Sequence, residues 1–349
     1  MNQTATTRKA AAAAPARRRL DVFALLVRFQ SVIGLIVVTI GGVIFSPRRH
    51  GAILFLAPDN VANIVRAVSE TGIIAVGMTF VIITAGIDLS VGALLSLCSV
   101  LTATIMTTGG WGLVPTVLIV LACGAAFGAV QGTISNRFRL EPFIVTLAGL
   151  QVARGLALVI SHNQYINISY GEGPGLAPRV FAILGDRLFN NIVPVATLVF
   201  VVVAAIATFV LNFTRFGRYV FAVGGNERAA RLSGVPVSLV KITVYAITGL
   251  VSAIAGVVHA GQFNFGSAND GTGYELTAIA AVVIGGTSLF GGSGSMVGTV
   301  AGAVMLGALA NVLQLNNINA ALQLLATGAI IVLAAVLQSL VRRREGLGR

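Results

Sequence analysis

The chain has 349 residues, of which 56% are hydrophobic and only 10% charged, where water-soluble domains carry about a quarter charged residues. With a mean hydropathy of +0.93, this composition excludes a soluble globule. A net charge of +12 and a pI near 11.1 invite a nucleic-acid reading, but the basic residues sit between apolar spans rather than on one folded, water-facing surface, so no nucleic-acid partner is expected.

From the N-terminus, residues 1–20 are basic and Ala-rich (Arg8, Lys9, Arg17, Arg18, Arg19) and read as a disordered cytoplasmic tail. They lead into a long apolar run without a small-residue cleavage site, which argues against a cleavable signal. Crossing about 30 Å of hydrocarbon as a helix takes about 20 residues. By that measure helices are expected over 29–46, 62–85, 89–107, 113–135, 142–161, 192–212, 241–261, 273–290, 295–315 and 320–341. The fold class is therefore all-α, a polytopic transmembrane bundle of about ten helices. Residues 51–57 (GAILFLA) are too short to span and read as an interfacial segment before Pro58.

Orientation follows from Lys and Arg, which concentrate in cytoplasmic loops. Most of the 23 basic residues fall on one side if the N-terminus is inside, and an even number of crossings then returns Arg342, Arg343 and Arg344 to the cytoplasm. Both termini are expected there. Two long connections remain, an outer one over 162–191 and an inner one over 213–240.

The inner connection reads RFGRYVFAVGGNERAARLSGVPVSLVK over 215–241. Gly224 and Gly225 precede Asn226, a good N-cap, and Glu227 starts a short helical run. Gly234 stops it, with Pro236 following. The expected product is a short charged helix carrying Glu227, Arg228 and Arg231, suited to a partner's groove, against the plainer alternative of a solvated basic loop.

Asp88 lies in AGIDLSVG at the inner end of a span, where a charge facing lipid is expensive. It reads either as a gate or partner contact, or as a cap on the helix beginning near Leu89. Of the other polar groups near or in spans, Glu70, Gln151, Arg154 and Glu275 are candidates for a substrate path, since a polar cargo needs hydrogen-bonding groups facing a wet cavity. The plain alternative is that such residues bridge helices. Arg154 and Glu70 stand out because ionisable groups at membrane depth usually face the bundle interior.

Cys98 and Cys123 fall in apolar segments without ligand spacing and read as packing residues. His50, His162 and His259 are scattered without a zinc motif, so no metal is expected. GTSLFGGS (Gly286–Ser293) has P-loop spacing but Gly292 where Lys must stand. No ATP site and no cofactor is expected on this chain, nor an enzymatic centre.

Four segments in order, GMTFVIITAGIDLSVGALLSL (77–97), EPFIVTLAGLQVARGLAL (141–158), GNERAARLSGVPV (225–237) and GTGYELTAIAAVVIGGTSLFGGSGSMVGT (271–299), resemble the transmembrane permeases of ribose-type sugar ABC importers, the carbohydrate uptake class 2 family. The resemblance covers most of the chain from about residue 60 and implies one permease domain, residues 21–345, in a bacterial inner membrane. It implies a second permease subunit, identical or not, a periplasmic sugar-binding protein on the outer loops, and a cytoplasmic ABC ATPase that binds ATP and Mg. Gly225, Asn226, Glu227, Arg228, Arg231, Leu232 and Gly234 would then be the segment that meets the ATPase. Glu70 departs from the neutral polar residue expected at its position, and the basic tail is peculiar to this chain. The rival is an ion-coupled secondary transporter, which usually places carboxylates in mid-membrane.

Overall fold

The computed structural model describes residues 30–49 and 51–344. The expected tail 1–20 and the ends of the expected domain, 21–29 and 345, lie outside the described residues. Most of the described residues are helical: α1 (Gln30–Phe45), α2 (Pro58–Ile83), α3 (Val91–Thr107), α4 (Leu113–Phe138), α5 (Pro142–Ser161), α6 (Val195–Phe213), α7 (Arg215–Gly225), α8 (Glu227–Leu232), α9 (Val237–Phe263), α10 (Tyr274–Ile284), α11 (Met296–Leu315) and α12 (Ala320–Arg344). All ten expected spans have a helix, so the polytopic all-α expectation holds. Six of them, α2, α4, α5, α6, α9 and α11, are long and apolar enough to cross a bilayer.

Two expectations are corrected. The span expected over 273–290 is an 11-residue helix that stops at Ile284. Gly286, Gly291 and Gly292 take φ of +89°, +81° and +76°, a region side-chain-bearing residues avoid, so the apolar run continues as turns. In the inner connection, Arg215–Gly225 forms α7 where only α8 was expected. Thr214 caps it by accepting the Gly217 N–H at 3.3 Å, and Gly217, Val220 and Val223 bury one face. The interfacial segment is a tight turn, Arg48–Arg49 pairing antiparallel with Ala52–Ile53, then a 3₁₀ turn over Leu54–Leu56. Pro58 starts α2 at a position where its missing N–H costs nothing.

The core is built around α2. From Ile73 to Ile83 every residue is buried, with α6, α9, α10 and α11 packed about it. Lipid offers no hydrophobic drive between helices, so association rests on close packing and interhelical hydrogen bonds. Thr79 and Thr299 share a hydrogen bond of 2.8 Å, Asn60 and Asn311 exchange two of 2.9 Å, and the Thr248 hydroxyl donates to the Gly77 carbonyl at 3.2 Å. Against α9, α4 approaches through Gly124, Gly128 and Gly249. A Cβ at Gly128 would overlap the Tyr245 carbonyl, and one at Gly249 the Gly124 carbonyl.

One end of the bundle, called inner here after its basic residues, gathers the turns 84–90 and 285–295 with the α7–α8 junction. The Gly292 N–H donates to the Ile83 carbonyl at 2.9 Å, and Gly224 packs against the same carbonyl. The two Gly/Ser turns thus meet each other. At the outer end the long connection carries a 3₁₀ helix, Arg179–Gly185, and a hairpin of Arg187–Leu188 with Val193–Pro194. Arg187 pairs there with Asp59 at 3.1 Å and with Asn63 at 2.7 Å.

Candidate functional site

Two regions carry polar chemistry. The first is the inner knob. Asn226 caps α8 through its side-chain oxygen, which accepts the Ala229 N–H at 2.9 Å. Glu227 then accepts from Arg231 at 3.1 Å and from Lys241 of α9 at 2.5 Å, tying the knob to the bundle. These two cations, Lys241 foremost, hold the Glu227 carboxyl below its ordinary value of 4.5. The sign follows: this anchoring is complete at neutral pH and is lost as pH falls through the depressed value. Gly234, with φ of +81°, ends the helix where a left-handed residue is required. Arg228 and Arg231 are exposed, Leu232 is 85% exposed, and a Cβ on Gly225 would point into open space. The knob is therefore rigid at its base and presents two cations and one apolar side chain outward. Replacing Asn226 by Ala removes the cap and is expected to cost about 1 kcal/mol locally, read as faster amide exchange over 227–232 with the spans unaffected.

Beside the knob lies a cavity of about 410 Å³ lined by Thr84, Gly86, Asn136, Glu141, Asn226 and Lys241 among others. Asp88 is buried just behind it. Helix α3 begins at Val91 with Ser90 at the N-cap, close to the start expected near Leu89. The Asp88 carboxylate accepts the Ser90 N–H at 2.9 Å and the Ser90 hydroxyl at 2.6 Å, and that hydroxyl oxygen accepts from Gln131 of α4 at 3.0 Å. Asp88 thus orders the turn and links it to α4.

The second region is a broken span. After α9, Asn264 turns left-handed at φ +59°. Phe265–Gly266 then pairs with Ile166–Asn167 of the outer connection, and residues 267–273 run on without helix to α10. Non-helical backbone at membrane depth is tolerated only where protein or a wet cavity satisfies it. Arg154 of α5 does this here, donating to the carbonyls of Ala268 and Asp270, the latter at 2.9 Å, to Ser96 at 2.8 Å and to Thr272 at 3.3 Å. Ser96 donates to the Asp270 carbonyl as well. Arg154→Leu leaves the Ala268 carbonyl without its side-chain donor and is expected to destabilise by about 1–3 kcal/mol, seen as a lower Tm in detergent. Arg154→Lys is expected to recover part of that loss.

Above this network, the Glu70 carboxylate on α2 accepts from Gln262 at 3.2 Å and from the Tyr274 hydroxyl at 3.3 Å. His259 Nδ1 lies 2.9 Å from the same carboxylate, and its Nε2 lies 3.0 Å from the Asp270 carboxylate, off the line of an aligned hydrogen bond. Asp270 also accepts the Ser267 N–H at 2.9 Å. Arg66 donates to Gln262 at 2.8 Å.

Of the four path candidates, Glu70 and Arg154 are thus drawn into one buried network and Glu275 lies beside it, its carboxylate against Gly92 of α3. Gln151 stands apart on an exposed face of α5. His259 and Asp270 are the residues that sequence reasoning underrated. Glu70 is remote from His259 in sequence and Asp270 reaches it only because the chain turns back after α9, so the available signal was the expense of ionisable groups at depth.

Long apolar helices, polar groups held at depth along a broken span, and a charged knob at one end define a polytopic membrane permease. Residues 60–335 match the family described as "Branched-chain amino acid transport system / permease component", and the chain belongs to that family. It is 39% identical over 323 residues to the ribose import permease protein RbsC of Escherichia coli K12, covering 92% of this chain and 97% of that protein. The ribose import permease protein of Bacillus subtilis 168 is likewise 39% identical over 323 residues, covering 92% of this chain and 95% of the relative. The xylose transport system permease protein XylH of Escherichia coli K12 is 34% identical over 343 residues, covering 83% and 87%. No solved structure matches the chain.

Proposed function

We propose that this chain is the transmembrane permease subunit of a bacterial inner-membrane ABC importer for a sugar or sugar-like solute. The observation that carries the reading is the near full-length likeness to ribose and xylose permeases. In this reading residues 21–345 form a single permease domain and the chain works beside a second permease subunit. A periplasmic sugar-binding protein delivers cargo to the outer connections. ATP and Mg are bound by a separate cytoplasmic ATPase, which seats on Gly225, Asn226, Glu227, Arg228, Arg231, Leu232 and Gly234. The base of that knob touches the inner end of α2 at Ile83 and the turn 285–295 at Gly292, so movement of the ATPase reaches the inner end of α2 and, through the turn that follows it, Asp88. Asp88 then serves as the brace of an inner gate.

Glu70, Arg154 and Glu275 shape the path by holding the broken span, and Gln151 faces out of the protomer toward lipid or the second subunit. An ion-coupled transporter has one observation in its favour, the carboxylates of Glu70 and Asp270 at depth, but His259 already occupies the space between them. The test is ATP hydrolysis by the chain co-purified with its candidate ATPase in lipid nanodiscs. Hydrolysis is expected to rise several-fold on adding sugar-loaded binding protein. Failure of the two chains to associate would overturn the reading.

A further inference from the structure

Three titratable side chains from three separate elements meet in the buried interior: Glu70 on α2, His259 near the outer end of α9, and Asp270 in the broken span. The side chains of Glu70 and His259 are 5% and 7% exposed, and that of Asp270 12%. The imidazole sits between the two carboxylates, 2.9 Å from one and 3.0 Å from the other. A carboxylate only accepts hydrogen bonds, and a neutral imidazole donates from one nitrogen alone. With both carboxyls ionised, a neutral ring would turn a lone pair toward an anion at contact distance. The arrangement as built therefore needs one further proton within the triad.

The contact geometry alone demands that proton, because the nearby cations Arg66 and Arg154 favour the ionised carboxylates. Around the triad stand Arg66 on α2, Arg154 on α5, Tyr274 and Glu275 on α10, and Cys98 on α3, which faces Gly256 one turn below His259. The rings of Phe263 and Phe265 pack against the imidazole with centroids 4.6 and 6.1 Å away.

We propose that Glu70, His259 and Asp270 form a proton-held latch in which His259 is a positioning residue, fixing the Asp270 side chain of the broken span 264–273 to α2 and α9, and that loss of the shared proton loosens that segment about the anchor that Arg154 provides. This rests on reading the chain as a permease, and it adds a regulation of the path by proton availability. The sign is set by the chemistry. The latch holds while the shared proton is present and is lost as pH rises far enough to remove it.

The measurement is made on the full chain in nanodiscs, without ATPase or sugar, so its outcome is separate from that of the importer reading. A nitroxide spin label is attached at Asn269→Cys, an exposed position in the broken span, after the exposed Cys123 is changed to Ser. In the His259 background the mobile fraction of the label is expected to rise several-fold between acidic and alkaline buffer. His259→Gln cannot bridge two carboxylates with a positive charge, and its label is expected to be mobile at every pH. Glu70→Gln lets a neutral ring accept from the new amide and donate to Asp270. Its label is expected to stay immobile at every pH, which also shows that a variant at this site still folds. Identical pH profiles in all three proteins, or a flat profile in the His259 background, would overturn the proposal.

Discussion

Reversing the two exposed cations of the knob, Arg228→Glu with Arg231→Glu, is expected to lower ATP-driven uptake by more than about tenfold while leaving the thermal stability of the isolated chain nearly unchanged. In the proposed reading the knob meets the ATPase through charge and one apolar side chain, Arg228, Arg231 and Leu232 being exposed. Like-charge juxtaposition at an interface costs several kcal/mol, and each 1.4 kcal/mol is about tenfold in association. Within the chain the price is small, because Arg228 is exposed and the Arg231–Glu227 contact is a half-exposed surface pair of the kind worth at most about 1 kcal/mol. The Glu227–Lys241 tie at 2.5 Å and the Asn226 cap remain. The check is paired: uptake by proteoliposomes and the melting of the purified chain. A large loss of uptake with an unchanged melt is the expected pattern, and unimpaired uptake would remove the knob from the coupling path.

The second large effect is expected at Gly224. A Cβ there would land well inside 3.0 Å of the Ile83 carbonyl and the Gly292 N–H, two groups already hydrogen-bonded to each other at 2.9 Å. Both neighbours are backbone, so neither can swing aside as a flexible side chain would. Gly224→Val must lift the α7–α8 junction off the inner end of α2 and the turn 285–295, cutting the mechanical link between knob and spans. Uptake is expected to fall by more than about tenfold, since a displacement of about 1 Å suffices to cost that much where geometry transmits function. Its neighbour supplies the control: Gly225 has no atom within 4 Å of a built Cβ, and Gly225→Ala is expected to transport normally. Equal tolerance at both positions would mean that the contact transmits nothing.

Much of this architecture was legible because a bilayer enforces simple rules. A helix in lipid must satisfy its own backbone, so the apolar runs report spans directly, and α2, α4, α5, α6, α9 and α11 fall close to where hydropathy puts them. Helix α8 was legible for a local reason, the Gly-Gly-Asn start and the Gly234 stop. Helix α7 was not, because RFGRYVFAV is too polar for a span and too apolar for a plain loop; only its buried Gly217, Val220 and Val223 face reveals an amphipathic surface helix. The early end of α10 was hidden for the opposite reason. Apolar composition continues past Ile284 to Phe290, and the break is made by glycines in left-handed conformations, which hydropathy does not register.

The polar network shows the deeper limit. Arg154 and Glu70 were recognisable as costly at depth, yet what they hold could not be read. Arg154 serves backbone carbonyls of a segment expected to be an ordinary connection, and Glu70 meets His259 across 189 positions of sequence. Such partnerships are made by the crossing of α2, α5 and α9, which the close-packed glycines of α4 and α9 help to set, and no local pattern encodes them.

The central claim, a permease driven by ATP hydrolysed on another chain, is tested most directly by uptake into proteoliposomes holding this chain with its candidate ATPase. A panel of labelled sugars is offered with binding protein, with and without ATP on the ATPase side, and with an imposed ion gradient. Accumulation of one sugar that requires ATP and ignores the gradient is the predicted result. Accumulation that ignores ATP and follows the gradient would contradict it.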